Sequence, residues 1–336
     1  MINKRLTLFF SSLLLIFSLA TLLFGETPWP QVWAGVQQRI AGTSTQWNPL
    51  LDERLPRLIV LICTGSSLAV AGAIMQALFH NPLASPSVLG ISQGGSLLAI
   101  LVFVFNQQLI HPYLLPLATI LGCFLTLLLI YALAYWQGST QLNTLILTGI
   151  AVSTILLSVE GVLLYIIREQ WQLVQMVAEW GAGSTIDRNW HHVHMQLPLT
   201  LVGLSGAWIY RKEINIAALG EEEAKNLGVP IEQVRWRLFL CISLLVGGAL
   251  AAMGIVAFFG LILPHMLRHL QGSDHRRLLP LCMLVGATVL TAIDHFLRLF
   301  EVHALSIGNF SAIVGGVIFL ILLLRLQQQP FERIGA

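Results

Sequence analysis

The sequence predicts an all-α integral membrane protein, and three observations lead to that class. Hydrophobic residues make up 56% of the chain, charged residues only 10%, and the mean hydropathy is +0.78. So little polar surface cannot cover a water-soluble globule. Apolar runs of about 20 residues recur, which is the length of a helix that crosses the hydrocarbon core of a bilayer. Strand-like alternation of apolar and polar residues is absent from the sequence, so the runs are predicted to be helices.

Ten apolar runs give ten predicted spans within a single transmembrane domain that covers residues 1–336. The first run follows Lys4 and Arg5, as in a secretory signal, but no A-x-A cleavage site follows it, so we expect a retained span. The predicted spans are 6–24, 57–79, 90–105, 113–136, 143–167, 194–210, 238–254, 256–270, 278–297 and 309–325.

The distribution of basic residues predicts which side of the membrane the termini occupy. An even number of spans puts both termini on one side, and with that side inside, 12 of the 18 basic residues are cytoplasmic. The sequence therefore predicts cytoplasmic termini. The basic residues left on the outer side are Arg39, Arg54, Arg57, Arg168, Arg188 and Arg298.

One polar segment, residues 211–237, interrupts the apolar chain and holds 10 charged residues in 27 positions. Helical spacing predicts a short helix in it, followed by Gly228 as a stop signal and by a second short helix that begins near Ile231. The apolar positions that share one face of the first helix are Leu219, Ala224 and Leu227. The predicted topology places this segment in the cytoplasm, where we expect it to contact a partner protein.

Several kinds of site are not indicated by the sequence. The four cysteines fall in apolar runs without C-x-x-C spacing, so neither a zinc site nor a disulfide framework is predicted, and no cofactor is implied. None of the three lysines follows a glycine, so the chain contains no nucleotide-binding P-loop. The net charge of +2 and the lack of basic runs give no reason to predict nucleic-acid binding.

Two patterns offer alternatives that need weighing. Residues 90–94 fit G-x-S-x-G and make Ser92 a candidate hydrolase nucleophile, but a hydrolase needs a strand before this motif and the sequence has a Pro-rich turn. His191, His192 and His194 cluster near a predicted membrane surface without a carboxylate or thiolate nearby, which favours an interfacial cluster over a metal site.

Glu160 is the one carboxylate predicted near the middle of a span. A carboxylate at that depth costs about 2.5–3.5 kcal/mol, so it needs a partner, a water-lined cavity or a proton. A cavity-lining role and a structural hydrogen bond are both open. An ion-coupled secondary transporter that uses Glu160, with Asp294 near a span end, is therefore an alternative function.

Three blocks of the sequence resemble the signature blocks of the FecCD family. They are RLPRLIVLICTGSSLAVAGAIMQALFHNPLASPSVLGISQGG (54–95), ALGEEEAKNLGVP (218–230) and GIVAFFGLILPHMLRHLQGSDHRRLLP (254–280), in the family's order and spacing. Members of that family are ten-span permease subunits, with the type II importer fold, of bacterial ABC importers for iron-siderophores, haem and vitamin B12. The resemblance implies the same fold and role here.

The resemblance also implies roles for particular residues at the two membrane surfaces. The matched block in the polar segment implies coupling helices that sit in a groove of the ATPase subunit. The residues of these helices are Ala218, Leu219, Gly220, Glu221, Glu222, Ala224, Leu227 and Gly228.

Three arginines, Arg54, Arg57 and Arg298, match outward-facing arginines that pair with glutamates of a substrate-binding protein; ordinary snorkelling at span ends is the alternative. The usual Glu-Leu-Pro-x-Gly run is replaced by Ala-Leu-Ser-Ile-Gly at 304–308, which weakens the match around Arg298.

The fifth predicted span matches the family's pore-lining helix. Leu142 and Asn143 fall at its cytoplasmic gate, and Glu160 lies farther along the same span. Residues 178–190, AEWGAGSTIDRNW, match a glycine-rich region near the outer mouth of the path, where glycine lets the backbone bend or a bulky ligand pass, unless the region is simply a flexible loop.

The resulting expectation is a permease subunit of the bacterial inner membrane that is not itself an enzyme. It would pair with a second permease copy or a paralogue, with two ABC ATPase subunits and with a periplasmic substrate-binding protein. Iron(III)-siderophore is the expected cargo because such systems are numerous in the family, and haem or vitamin B12 is the alternative.

Overall fold

The computed structural model describes residues 4–24, 27–43, 46–87, 89–105, 111, 113–136, 142–186, 188–300 and 305–327. These residues form fourteen α-helices and one π-helical turn, Leu50–Arg54, and they contain no strand. The helices are α1 (Lys4–Leu23), α2 (Trp29–Ile40), α3 (Leu55–Leu78), α4 (Ile91–Val104), α5 (Leu114–Trp136), α6 (Leu142–Ile166), α7 (Trp171–Gly181), α8 (Trp190–Ile209), α9 (Arg211–Ala217), α10 (Glu221–Asn226), α11 (Ile231–Met253), α12 (Phe259–Gln271), α13 (His275–Leu299) and α14 (Ile307–Gln327).

A helix occupies each of the ten ranges in which a span is predicted, so the all-helical class is confirmed for the described residues. Within the described ranges, six helices are long and apolar enough to cross a bilayer: α1, α3 with the π-helical turn, α5, most of α6, α11 and α13. The apolar parts of α4 and α14 are shorter. The total of ten spans therefore stays a prediction.

Helix α3 lies at the centre of the bundle and is buried along nearly its whole length. Small residues allow its neighbours to approach. A Cβ atom placed on Gly65 would lie 2.2 Å from the Gly286 carbonyl oxygen of α13, and one on Gly72 would lie 1.8 Å from the Gly260 oxygen of α12. Close backbone approach of this kind is how helices pack in lipid, where no hydrophobic driving force joins them.

The structure corrects one prediction in the polar segment. Residues after Pro230 do not form a short second helix; α11 runs without a break from the polar segment into the membrane, over Ile231–Met253. The physical reason is that neither proline nor a stop signal interrupts residues 231–253, while Pro230 suits the position before a helix. A rigid helix therefore joins the polar segment to the core.

The predicted outer loop at 25–53 contains the helix α2, which is not one of the predicted spans. Arg39 donates two hydrogen bonds, of 2.8 and 2.9 Å, to the Asp52 carboxylate, and the buried Asn48 amide donates to the Val32 carbonyl at 3.0 Å. Trp29 and Trp33 are exposed on α2, and tryptophan side chains are typical of a membrane–water interface.

Candidate functional site

The helix α10 is short and is bounded by glycine at both ends. Gly220, at φ 128°, precedes it, and Gly228, at φ 74°, follows it. The Gly228 amide donates to the Lys225 carbonyl and the Val229 amide donates to the Ala224 carbonyl, at 2.9 and 3.0 Å. This pair of bonds is a Schellman cap, which needs the left-handed conformation that glycine adopts without strain. The sequence therefore ends α10 where the motif predicts.

The apolar residues around α10 divide into an inward and an outward set. Ala224 is fully buried against the bundle, whereas Leu219 is 63% exposed and Leu227 is 60% exposed. Ala218 and Glu222 are exposed as well, while the Glu221 side chain lies outside the described residues. Two exposed leucines beside charged residues, on a polar segment between long apolar helices, form a surface that suits a protein partner.

Two of the three predicted docking arginines lie at the N-terminal end of α3 and in the π-helical turn before it, and both are bound within this chain. Arg57 forms an ion pair with Asp294 of α13, with 2.6 Å between Nη2 and Oδ1, and its Nε donates to both carboxylate oxygens at 3.2 Å. Their side chains are 12% and 1% exposed. The Thr185 hydroxyl also donates to Asp294 Oδ1, at 2.7 Å. Asp294, which we considered for ion coupling, is held in this network.

Arg54 is 3% exposed and donates from Nη1 to the Leu22 and Leu23 carbonyls at 3.0 and 3.3 Å. It thereby satisfies carbonyls at the C-terminus of α1, where a cation is favoured. Carbonyls and a buried carboxylate of this chain therefore bind Arg54 and Arg57, and their docking role stays a prediction.

Arg298, the third predicted docking arginine, is half-buried and has a weaker attachment. Its Nη2 donates to the Phe24 carbonyl at 3.4 Å, and it forms no ion pair within the described part of the chain. The departure from the family pattern nearby has a structural account. The Ser306 hydroxyl donates to the Ala182 carbonyl at 2.5 Å and accepts from the Asn309 amide at 3.2 Å, which caps the start of α14.

The glycine-rich outer region is packed closely against two other chain segments. The Gly308 amide donates to the Gly183 carbonyl at 3.0 Å, and the Ser184 amide donates to the Met253 carbonyl at 3.1 Å. A Cβ atom on Gly308 would lie 2.3 Å from both the Ala182 and Ile255 carbonyl oxygens. The glycines therefore permit close backbone packing, which was not among the roles predicted for them.

The predicted path helix, α6, has one packed face and one exposed face. Glu160 is buried on the packed face against α4, where its carboxylate interacts with Ser96, and its Oε1 has no hydrogen-bond partner among the described residues. The exposed face carries the hydroxyls of Thr154 and Ser158, which donate to the carbonyls one turn earlier. Sequence reasoning missed these two, although hydroxyls four residues apart on a pore helix are a readable signal.

The predicted cytoplasmic gate lies at the start of α6. Leu142 and Asn143 begin α6, and their side chains lie outside the described residues.

The two alternative motifs have structural explanations. Ser92 lies in the first turn of α4, after Gly90 at φ 77°, with no strand before it in the described residues. His192 Nε2 accepts from Arg188 at 3.2 Å, so its Nδ1 carries the proton and donates to the Asn189 side-chain oxygen at 3.1 Å, at the start of α8. No cluster of metal-binding side chains occurs in the described ranges.

Comparison with known proteins agrees with the geometry. The sequence model of the FecCD transport family matches residues 12–325. The hemin transport system permease protein HmuU of Yersinia pestis is 38% identical over 84% of this chain and 85% of its own length. The Fe(3+) dicitrate transport system permease protein FecD of Escherichia coli is 33% identical over 92% of this chain and 95% of its own. Permeases of vitamin B12 import systems also match.

A solved structure extends the similarity to three dimensions. It is an inward-facing conformation of a metal-chelate type ABC transporter, which superposes with a TM-score of 0.80 at 29% identity. The match covers 96% of this chain and 100% of that chain.

Proposed function

Because this chain belongs to the FecCD transport family, we propose that it is the inner-membrane permease subunit through which a bacterial ABC importer takes up an iron(III)-siderophore. The family places it among importer permeases for iron chelates, haem or vitamin B12, and its homologues are permease subunits and not enzymes. In this proposal a separate ATPase subunit hydrolyses ATP, and this chain supplies the path and the surfaces that connect it to its partners.

The observation that carries the proposal is the surface around α10. A chain without a P-loop needs an outside source of energy, and its most charged segment presents Leu219 and Leu227 to a partner. Capping by Gly228 fixes the helix before binding, so little conformational entropy is lost when a partner binds. We assign this surface to the ATPase, with one ATPase subunit for each of two permease subunits and with both chain termini on the same, cytoplasmic side.

A second permease subunit fits the exposed apolar faces of α6 and α14. Ile155, Val162 and Tyr165 of α6, with Ile313 and Leu320 of α14, are exposed on this subunit. The exposed face of α6 also carries Thr154 and Ser158, whose hydroxyls suit a polar path between two subunits. Gly161 belongs to the same face and has open space beside it. Burial of Glu160 on the other side of α6 supports a structural role for it.

The binding protein is proposed to dock at the outer end of α3 and α13. Arg298 is the first candidate contact because it forms no ion pair in the described part of this subunit. Arg54 adds a positive charge near that surface while it holds α1, and the charge of Arg57 is balanced by Asp294. A positive patch of this kind steers an acidic partner and fixes its orientation.

The cargo is tested by growth and uptake. A strain that lacks this gene is grown under iron limitation on purified ferric siderophores and on haem, and in a separate assay on vitamin B12. Loss of growth on a ferric siderophore, restored by the gene, supports the proposal. Loss on haem or vitamin B12 alone would assign those cargoes instead, which the relatives support equally.

A further inference from the structure

We propose that Asn215 is a positioning residue that passes movement of the ATPase-binding segment to the paired helices α3 and α13, and through them to the outer docking surface. The inference rests on the proposed function and adds to it a route between the two partner surfaces. It names a residue in α9, outside the residues to which the resemblance assigns a role.

The helices α3 and α13 form one antiparallel unit. At the outer end the ion pair between Arg57 and Asp294 joins them. In the middle, Gly65 and Gly286 are in reciprocal contact, since a Cβ on either would lie 2.2 Å from the other's carbonyl oxygen. The Ser66 hydroxyl donates to the Met283 carbonyl at 2.9 Å. At 1.5 Å per residue, each helix extends about 30 Å from the ion pair to its inner end.

At the inner end, the Asn215 side chain binds the first turn of α13 on both of its amide atoms. Its Nδ2 donates to Asp274 Oδ1 at 2.8 Å, and its Oδ1 accepts from the His275 amide at 2.7 Å. The His275 ring nitrogen Nδ1 is also 2.8 Å from that oxygen, so the Nδ1-protonated tautomer donates to it. His275 is almost fully buried. One amide group therefore holds α9 to α13 in a fixed orientation.

Asp274 is itself the N-cap of α13, because its side chain accepts from the Arg276 amide at 3.0 Å. Partial burial would raise the pKa of Asp274, but the hydrogen bonds from Asn215 and the Arg276 amide, with the charges of Arg276 and Arg277, hold that pKa below its usual value. The link between α9 and α13 is therefore formed by an ionised carboxylate at neutral pH.

A second bond attaches α9 to the other helix of the pair. His80 follows the C-terminus of α3, and its Nε2 lies 2.7 Å from the Ala217 carbonyl oxygen. Since a carbonyl oxygen only accepts, His80 Nε2 must carry the proton. His80 adopts φ 49°, a left-handed conformation that glycine usually takes, which aims the ring at α9. Residues 215–217 thus touch the inner ends of both helices.

This arrangement gives the coupling a physical route. A displacement of α10 reaches α9 through a three-residue stretch of chain, and α9 cannot shift without moving α3 and α13 or breaking these bonds. Packed helices respond to such a displacement by moving as rigid bodies, since close-packed interiors deform little. The outer ends that carry Arg57 and Arg298 then move with them.

The test uses the complete importer in liposomes, with its ATPase and with the binding protein loaded with a ferric siderophore. ATP hydrolysis is measured with and without the binding protein, and the ratio reports the coupling. Asn215→Asp puts a second carboxylate against Asp274 and should lower the ratio by about fivefold or more, with basal hydrolysis and assembly kept. Asn215→Asp with Asp274→Asn restores a donor and an acceptor, keeps an N-cap residue, and should return the ratio to within about twofold of the native value.

Gln172→Ala removes an amide side chain at an exposed position of α7 and is the control. A native ratio in Asn215→Asp, a proportional loss of basal and stimulated hydrolysis, or a failure of the exchanged pair to restore the ratio would each overturn the inference. If the single variant does not assemble, Asn215→Ser is judged by the same ratio. A native importer that the binding protein does not stimulate would instead contradict the proposed function.

Discussion

Arg57 and Asp294, which lie 237 positions apart in the chain, form a buried ion pair that joins the N-terminal end of α3 to the C-terminal end of α13. The guanidinium donates to both carboxylate oxygens, and Thr185 adds a third donor group. Buried charges persist when they are paired and hydrogen-bonded in this way. The same two helices meet α9 at their inner ends, so the pair links the two surfaces at which partners are proposed to bind.

Removing one partner of this ion pair should destabilise the subunit strongly. Asp294→Ala leaves the Arg57 guanidinium buried without a carboxylate, and we expect a loss of about 3–5 kcal/mol in the free energy of unfolding. Arg57→Leu with Asp294→Leu removes both charges and should recover most of that loss. The free energy of unfolding is measured in detergent for the native protein, for Asp294→Ala, for Arg57→Leu and Asp294→Leu singly, and for the double variant. A double variant whose loss equals the sum of the single losses would contradict the account of this pair.

Charge reversal at Arg298 should weaken docking of the binding protein. Because an exposed charge pair is worth about 0.2–1 kcal/mol, Arg298→Glu should lower affinity by about two- to fivefold at low salt and by less at high salt. Surface plasmon resonance with the binding protein provides the measurement. Arg168→Glu, at an outer arginine that stacks on Tyr165, is the matched control. A native affinity for Arg298→Glu at low salt would remove Arg298 from the docking surface.

The exposed leucines beside α10 should be needed for binding of the ATPase. Burial of a leucine in an interface contributes about 1.5–3 kcal/mol, so Leu219→Ala with Leu227→Ala should weaken ATPase binding by about tenfold or more. Titration of purified ATPase onto the permease in nanodiscs measures this affinity. Leu299→Ala changes a leucine that is 62% exposed at the outer end and should have no effect. Equal effects of the two sets of substitutions would refute the assignment of this surface.

Gly308 should tolerate no side chain, whereas Gly316 in the same helix should tolerate one. A Cβ on Gly308 meets two carbonyl oxygens at 2.3 Å, while no atom lies within 4 Å of a Cβ on Gly316. Overpacking costs about 1–3 kcal/mol, so Gly308→Ala should lower the thermal midpoint of the detergent-solubilised subunit. Gly316→Ala removes backbone freedom from the unfolded chain and should leave the midpoint unchanged or raise it. If both variants kept the native midpoint, the account of close backbone packing at Gly308 would be contradicted.

Local features of this protein could be predicted from the sequence. Helices occupy every range in which an apolar run predicts a span, because run length and helix stop signals act within a few residues. The cap at Gly228 is of the same kind. The family resemblance is confirmed across the chain.

Contacts between distant residues could not be predicted in the same way. Nothing near Arg57 in the sequence indicates that Asp294 binds it, and the orientation of Glu160 toward α4 depends on how α6 packs. The prediction of a short second helix near Ile231 was wrong, because the change from polar to apolar residues was interpreted as a helix boundary. In the structure α11 continues through residues 231–253. Charge composition marks the water interface, but a helix ends only where its backbone has a reason to stop.

Transport by the purified subunit tests the central claim most directly. The permease is reconstituted in proteoliposomes with the binding protein and a radiolabelled ferric siderophore, with or without the ATPase, and with ATP or a non-hydrolysable analogue. The proposed function predicts accumulation only when both the ATPase and hydrolysable ATP are present. Accumulation by the permease without the ATPase, driven by an ion gradient alone, would contradict it.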